Sequence, residues 1–64
     1  MSKFTVTYKD GGSIPVIADE FDINTIEINK KLFIPFYNWD EQHNHKFIES
    51  LVEEANVVSI VKDW

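Results

Sequence analysis

The stretch that decides the predicted fold class is residues 38–56, which read NWDEQHNHKFIESLVEEAN. Asn38, followed three residues later by Glu41, has the pattern of a capping box at the start of a helix. The apolar side chains beyond this point recur at the spacing of one face of an amphipathic helix. They are Phe47, Ile48, Leu51, Val52 and Ala55. We therefore predict an amphipathic helix over about residues 39–55, with Asn56 as its C-terminal stop.

The segments before this helix have the alternation that is typical of strands. In residues 4–9, FTVTYK, apolar and polar side chains alternate, and the residue types are those that strands favour. The turn sequence DGG follows at residues 10–12, and glycine accepts the positive φ that tight turns require. Residues 13–18, SIPVIA, read as a returning strand, in which Pro15 lacks a backbone donor and indicates a sheet edge. The sequence thus predicts a hairpin over residues 3–18.

The middle of the chain has less decisive patterns. Residues 19–24 alternate acids with Phe and Ile, which leaves a short strand and a turn-like connector both open. Residues 25–28 read as a strand, and residues 29–31 as a tight turn. Residues 32–37, LFIPFY, are apolar on both faces and so suit a central strand, whereas Pro35 favours an edge. A strand with two apolar faces and a free edge is also what an interface would present.

The last segment, residues 57–61, is VVSIV, and its β-branched side chains predict a final strand. The order is then strand–strand–strand–strand–helix–strand within a single domain, residues 1–64. This order predicts an α+β fold, in which a twisted antiparallel sheet carries the one amphipathic helix packed on a face.

Composition limits the function. The chain has 64 residues, 44% of them hydrophobic, with no cysteine and a net charge of −5. The apolar fraction is that of a folded protein, and the lack of cysteine excludes disulfides and thiolate metal sites. All six basic residues are lysines, and this acidic balance argues against direct binding to nucleic acid or to an anionic membrane. No apolar run could span a bilayer, and the N-terminus lacks the apolar segment of a signal peptide. We expect a cytoplasmic protein, located in the host cytoplasm if a phage encodes it.

The densest polar cluster is residues 40–45, DEQHNH. On a helix, Asp40 and His43 would share a face because they are three residues apart. Glu41 and His45, four residues apart, would share another. Each pair supplies two ligands, fewer than a metal site requires, so we predict no metal and no cofactor. The serines lie outside any nucleophile motif, and so short a chain rarely encloses a catalytic pocket. We therefore predict no catalytic residues and a protein that is not an enzyme.

The negative charge is concentrated in residues 19–28 and on the outer side of the predicted helix. Glu53 and Glu54 fall in the last predicted helical turn, where the helix dipole favours cations, so a basic partner would relieve a small penalty. We expect a non-enzymatic binding or inhibitor protein that presents carboxylates to a basic, nucleic-acid-binding protein. DNA-mimicking phage anti-defence proteins, anti-CRISPR inhibitors among them, offer an analogy of size and charge. The candidate partner-binding acids are Asp19, Glu20, Asp22, Glu27, Glu49, Glu53 and Glu54.

An alternative hypothesis assigns function to the aromatic side chains. The protein would then be a small structural or regulatory module that forms a homodimer or binds a partner through an apolar surface, and the acids would only keep it in solution. The candidate interface residues are Phe33, Phe36, Tyr37, Trp39 and Trp64. The two hypotheses are compatible, because a dimer doubles the acidic surface.

Overall fold

The computed structural model describes all of residues 1–64 and contains seven β-strands and no α-helix. The strands are β1 (Ser2–Tyr8), β2 (Ser13–Ala18), β3 (Glu20–Phe21), β4 (Ile26–Ile28), β5 (Lys31–Asp40), β6 (His45–Glu53) and β7 (Val57–Lys62). They form two antiparallel sheets, of three and four strands. The one helical segment is a 3-10 turn, Glu54–Asn56, and no helix is long and apolar enough to cross a membrane. The predicted α+β class is therefore wrong, and the protein is almost entirely β.

The first sheet has the strand order β2-β1-β7. Its β1–β2 pairing confirms the hairpin predicted over residues 3–18. In the turn between these strands Gly11 has a φ of 90°, which a residue with a Cβ rarely adopts. The backbone N–H of Tyr8 donates to the carbonyl of Gly12 at 2.8 Å and closes this turn. Pro15 lies on β2, an edge strand, as its missing donor predicted.

The second sheet is built around β5. Strand β6 pairs with one side of β5, while β3 and β4 lie end to end along the other side. The hairpin between β4 and β5 turns through Asn29 and Lys30, whose φ angles are 52° and 65°. Two consecutive residues with positive φ indicate the type I′ turn that matches the twist of paired strands. The tight turn predicted at residues 29–31 is thus confirmed.

Pro35 lies in the middle of this central strand. Its carbonyl accepts the N–H of Asp22 at 3.1 Å. In an antiparallel ladder the two backbone groups of a residue point toward the same neighbour, so the ring nitrogen of Pro35 also faces Asp22. Asp22 lies between β3 and β4, where the chain leaves the sheet. The nitrogen of Pro35 thus faces a residue outside the strands and does not face β6, which pairs with the other side of β5. The missing N–H therefore removes no hydrogen bond between β5 and β6, and this central strand tolerates the proline.

The predicted helix over residues 39–55 is wrong. These residues form the end of β5, a turn over residues 41–44, and β6. Asn38, predicted as the helix cap, is instead buried within β5. The carboxylate of Asp40 accepts the backbone N–H groups of Gln42 and His43, at 3.1 and 3.2 Å. The polar residues that predicted the start of a helix therefore form the turn of the β5–β6 hairpin.

A β-bulge explains why β6 has the spacing of a helix. Its pairing with β5 contains one extra residue, Glu49, at which the register shifts. The extra residue displaces the alternation by one position, so Ile48 and Leu51 point to one side although they are three residues apart. By the same shift Phe47 and Val52 point to the other side. Pairing with β5, a long-range interaction, decides the conformation against the local pattern.

The core lies between the two sheets. The ring of Phe4 from β1 packs edge-on against Phe36 of β5, with centroids 5.6 Å apart, and against Phe21 at 5.4 Å. The chain crosses from one sheet to the other at Asp19, between β2 and β3, as strands do at the corners of packed sheets. The buried apolar side chains are Phe4, Val6, Val16, Ala18, Ile34, Phe36 and Val52.

Candidate interaction surface

The second sheet has one side against the core and a second side, here called the outer face, directed away from it. Residues directly opposite each other on paired strands point to the same side, and successive residues alternate. Because Phe36 points into the core, its neighbour Tyr37 and the residue opposite it, Ile48, point outward. By this register the outer face comprises Glu20, Ile26, Ile28, Lys31, Phe33, Pro35, Tyr37, Trp39, Lys46, Ile48, Leu51 and Glu53.

Most of the outer face is apolar and accessible to solvent. Its most exposed large apolar residues are Trp39 at 50%, Ile48 at 46%, Ile28 at 43% and Leu51 at 39% of their possible surface. Single exposed apolar side chains are common on proteins, whereas a contiguous group of them marks a binding surface. Here the group is contiguous, because Ile48 lies opposite Tyr37 and next to Leu51 along the same side of β6. Pro35, opposite Leu51, is fully buried beneath its neighbours.

Charged side chains at the two ends of the outer face balance each other. At one end the ammonium of Lys46 lies 3.3 Å from the carboxylate of Glu20 and 4.5 Å from the centre of the Tyr37 ring. Both ion-pair partners are exposed, so the pair contributes at most about 1 kcal/mol. Lys31 and Glu53 lie at the other end. The four charged residues on the strands of the outer face thus sum to zero, although the protein carries −5; Asp22, which follows β3 opposite Pro35, adds one acid at the edge of the face.

Asp19, one of the predicted partner-binding acids, has a structural role at the corner between the sheets. Its carboxylate accepts the backbone N–H of Trp39 at 2.8 Å and lies 3.6 Å from the N-terminal ammonium of Met1. Its own N–H donates to the carbonyl of Tyr37 at 2.9 Å. This carboxylate therefore stabilises the joint between β2 and β5 and is partly withdrawn from solvent.

Glu49 is also engaged within the molecule. The side chain of Asn38 is only 5% exposed, and a buried amide requires hydrogen-bond partners. Its oxygen accepts the N–H of Asp19 at 3.0 Å, and its nitrogen donates to the carboxylate of Glu49 at 3.2 Å. Glu49, itself exposed at the bulge, thus supplies an acceptor for the amide of buried Asn38.

The remaining predicted acids lie elsewhere on the molecule. The carboxylate of Asp22 accepts the N–H of Asn24 at 2.9 Å, while Glu27 is exposed on β4. Glu53 and Glu54 line an open groove of about 560 Å³. The same groove is lined by Lys9, Lys30 and Lys31. Together with the roles of Asp19, Glu20 and Glu49, this placement distributes the seven acids over several parts of the fold.

The predicted apolar candidates are only partly brought together. Phe33, Tyr37 and Trp39 lie on the outer face, in line with the interface hypothesis. Phe36 is fully buried in the core, so its assignment to an interface is wrong. Trp64 is exposed but follows β7, and its carbonyl accepts the N–H of Lys3 at 2.8 Å, so it belongs to the first sheet.

Sequence reasoning missed four apolar members of the outer face: Ile26, Ile28, Ile48 and Leu51. The first two are two residues apart on a strand, so alternation alone could have placed them on one side. The other two were assigned to a core-facing helical stripe. No local signal identifies the bulge that places them side by side.

The turn over residues 41–44 holds the polar cluster. The ring nitrogen Nδ1 of His43 lies 2.7 Å from the carboxylate of Asp40, and this hydrogen bond holds the pKa of Asp40 below its usual 3.8. The ring of His45 lies 5.8 Å from that of His43. The chain has no group of three or more His, Asp or Glu side chains arranged to bind a metal ion.

Comparison of this chain with models of protein families, with curated proteins and with solved structures found no match.

Proposed function

We propose that this protein is a non-enzymatic interaction module that binds another protein chain through its outer face. The observation that carries this proposal is the contiguous group of exposed apolar side chains on the second sheet, including Trp39, Ile48 and Leu51. Water solvates such a surface poorly, and covering it with a partner releases that unfavourable hydration.

The composition and rigidity of the outer face suit this role. Tryptophan and tyrosine are enriched among the residues that dominate binding energies, and here Trp39 and Tyr37 lie two residues apart on one strand. The face is carried by hydrogen-bonded strands, so little conformational entropy is lost when a partner docks. The charged residues Lys46 and Glu20 lie at the border, where interfaces are normally polar.

A matched pair of substitutions tests this proposal. Leu51→Asp introduces a charge into the outer face, whereas Val61→Asp introduces the same charge at an exposed apolar position of the other sheet. We expect Leu51→Asp to weaken binding to a captured partner by roughly tenfold or more, as substitutions at central interface positions do. Val61→Asp should leave binding unchanged, with both variants folded by circular dichroism. Equal binding by the wild type and Leu51→Asp would remove the outer face as the interface.

A second candidate function is the acidic binder that presents carboxylates to a basic, nucleic-acid-binding protein. The observation that favours it is that Glu27 and Glu54 are exposed and form no ion pair, so their charge is available to a partner. In the DNA-mimic version, duplex DNA would displace the protein from that partner. We expect Glu27→Lys combined with Glu54→Lys to abolish such binding. Binding that is unaffected by this charge reversal and by added DNA would contradict the acidic function.

A further inference from the structure

We infer that the occupant of the outer face is a second copy of this chain, packed face to face about a twofold axis. This inference rests on the proposed function, because it names the partner of the same surface. Three properties of the chain support it: its small core, the charge balance of the outer face, and the register of β5 with β6.

The first property is the small core. Only seven apolar side chains are buried between the sheets, out of 64 residues, and the chain has no cysteine for a disulfide. Chains of this length usually require a disulfide, a metal or a partner subunit, because their surface is large relative to their volume. A second copy on the outer face would bury Trp39, Ile48 and Leu51. The dimer would then be a stack of four sheets, two from each copy.

The second property is charge. Two copies that each carry −5 repel each other, so they can associate closely only through surfaces where like charges do not meet. The strand residues of the outer face satisfy this condition, because Lys46 and Glu20 balance at one end and Lys31 and Glu53 at the other. Asp22, opposite Pro35 just beyond β3, adds one acid at the edge. The exposed carboxylate of Glu54 lies outside it.

The third property is the arrangement of the charged residues along the strands. In the ladder Lys46 lies opposite Trp39, and Glu53 lies opposite Phe33. Phe36 is midway between Trp39 and Phe33 on β5, so the midpoint between Lys46 and Glu53 is level with Phe36. Consider a twofold axis that lies in the plane between the two copies, at the level of Phe36 and perpendicular to the strands. Rotation about this axis places β6 of one copy over β6 of the other, with the strands running in opposite directions. Lys46 of each copy then faces Glu53 of the other, and the contact occurs twice.

The same axis matches the apolar residues. Ile48 and Leu51 lie opposite Tyr37 and Pro35 respectively, and their midpoint is also level with Phe36. Each Ile48 therefore faces Leu51 of the second copy. On β5 the same operation places Tyr37 level with Pro35, whose own side chain is fully buried beneath its neighbours on this face. It also places the ring of Trp39 over that of Phe33, so the part of the face formed by β5 and β6 is complementary to itself in charge and in side-chain type.

Charge reversal in two separate variants tests the arrangement. The proposed dimer has two contacts between Lys46 of one copy and Glu53 of the other. In homodimers of Lys46→Glu each of these contacts would join two acids, and in homodimers of Glu53→Lys each would join two lysines. Sedimentation equilibrium should show the wild type as two chains, and each variant alone with dimer dissociation raised on the order of tenfold or more. A mixture of the two variants should dimerise again, because every contact then joins opposite charges. Leu51→Asp should be a monomer, and circular dichroism should show that all variants are folded.

The outcomes separate this inference from the function on which it rests. A mass of one chain for the wild type would overturn the dimer, while the Leu51→Asp and Val61→Asp comparison would still decide whether the outer face binds a different protein. A dimer that Leu51→Asp leaves intact would place self-association on another surface and overturn the inference. Failure of the mixed variants to recover dimerisation would overturn the twofold arrangement.

Discussion

At the scale of single residues, the role of an acid is decided by its neighbours and not by its place in a charged block. Asp19 bonds the backbone of Trp39, and Glu49 completes the hydrogen bonds of buried Asn38. Asp40 accepts two backbone N–H groups and the ring of His43. The sequence predicted Asp19 and Glu49 as partner-binding acids and placed Asp40 beside His43 on a helix, whereas each of the three carboxylates accepts hydrogen bonds within the fold.

The turn between β5 and β6 should weaken in acid. The ring of His43 lowers the pKa of the Asp40 carboxyl in the folded protein. A carboxyl with a depressed folded pKa stabilises the fold at pH above its ordinary value, 3.8 for Asp40, and this contribution disappears as the pH falls through the folded pKa. We expect the protection of the Gln42 and His43 amides, measured as exchange relative to the intrinsic rate at each pH, to fall below about pH 4 in the wild type. NMR titration of the Asp40 carboxyl provides the direct measurement.

The matched control is His43→Gln, which removes the principal cause of the shift. In this variant the pKa of Asp40 should move up toward its ordinary value, and the loosening of the turn should begin at higher pH. An identical titration of Asp40 in both proteins would contradict the assigned role of His43.

At the scale of elements, the local sequence predicted the tight turns correctly but predicted a helix where β6 lies. The turns require positive φ, which few residues accept, so glycine and asparagine identify them. Strand β6 contains Lys, Glu and Leu, which favour helices, and its bulge at Glu49 produces helix-like spacing. Its conformation follows from pairing along the whole length of β5, which no window of local sequence contains.

Replacement of Lys30 by glycine should stabilise the β4–β5 hairpin. Lys30 has a φ of 65°, a conformation that costs a residue with a Cβ roughly 1 kcal/mol and glycine very little. We expect Lys30→Gly to raise the free energy of unfolding by about 0.5–1 kcal/mol, measured by urea denaturation. Lys31→Gly is the control, because Lys31 is extended in β5 and gains nothing from glycine. This variant should lower the free energy of unfolding by about 0.5–1 kcal/mol. A destabilised Lys30→Gly variant would contradict the type I′ assignment.

At the scale of the whole molecule, a flat shape leaves little interior. The Cα atoms extend 40 × 30 × 14 Å, so each sheet has one side on a thin core and one side in solvent. Large apolar side chains are consequently exposed on both sheets, among them Ile17 on β2 and Ile48 on β6. Stability therefore depends on a few buried rings, and the remaining apolar surface is available for association.

Truncation of the central ring should unfold the protein. Phe36 is fully buried between Phe4 and Phe21, and Phe→Ala in a core costs about 3–5 kcal/mol. This is comparable to the total stability of a domain of this size, at about 0.05–0.15 kcal/mol per residue. We expect Phe36→Ala to be largely unfolded by circular dichroism and Phe36→Leu to be folded with a lower Tm. Ile17→Ala, at an exposed position, should change the Tm little, and similar effects at both positions would contradict the two-layer core.

The sequence by itself determined the features that depend on neighbouring residues. Strict alternation identified the β1–β2 hairpin, and β-branched residues identified β7. Glycine identified one turn, and the asparagine–lysine pair identified another. On the candidate surface, the sequence predicted Phe33, Tyr37 and Trp39 as interface residues because the segment around residues 32–37 is apolar on both faces; the structure places them on one face, and their role in binding stays a prediction.

Only the tertiary structure decided the rest, because it depends on which segments pair. The conformation of residues 39–55, the burial of Phe36, and the engagement of Asp19 and Glu49 all follow from the position of β5 at the centre of its sheet. The outer face exists because one extra residue in β6 shifts its alternation and places Ile48 beside Leu51. A helix and a bulged strand can share one pattern of apolar residues, and the backbone hydrogen bonds of a distant strand select between them.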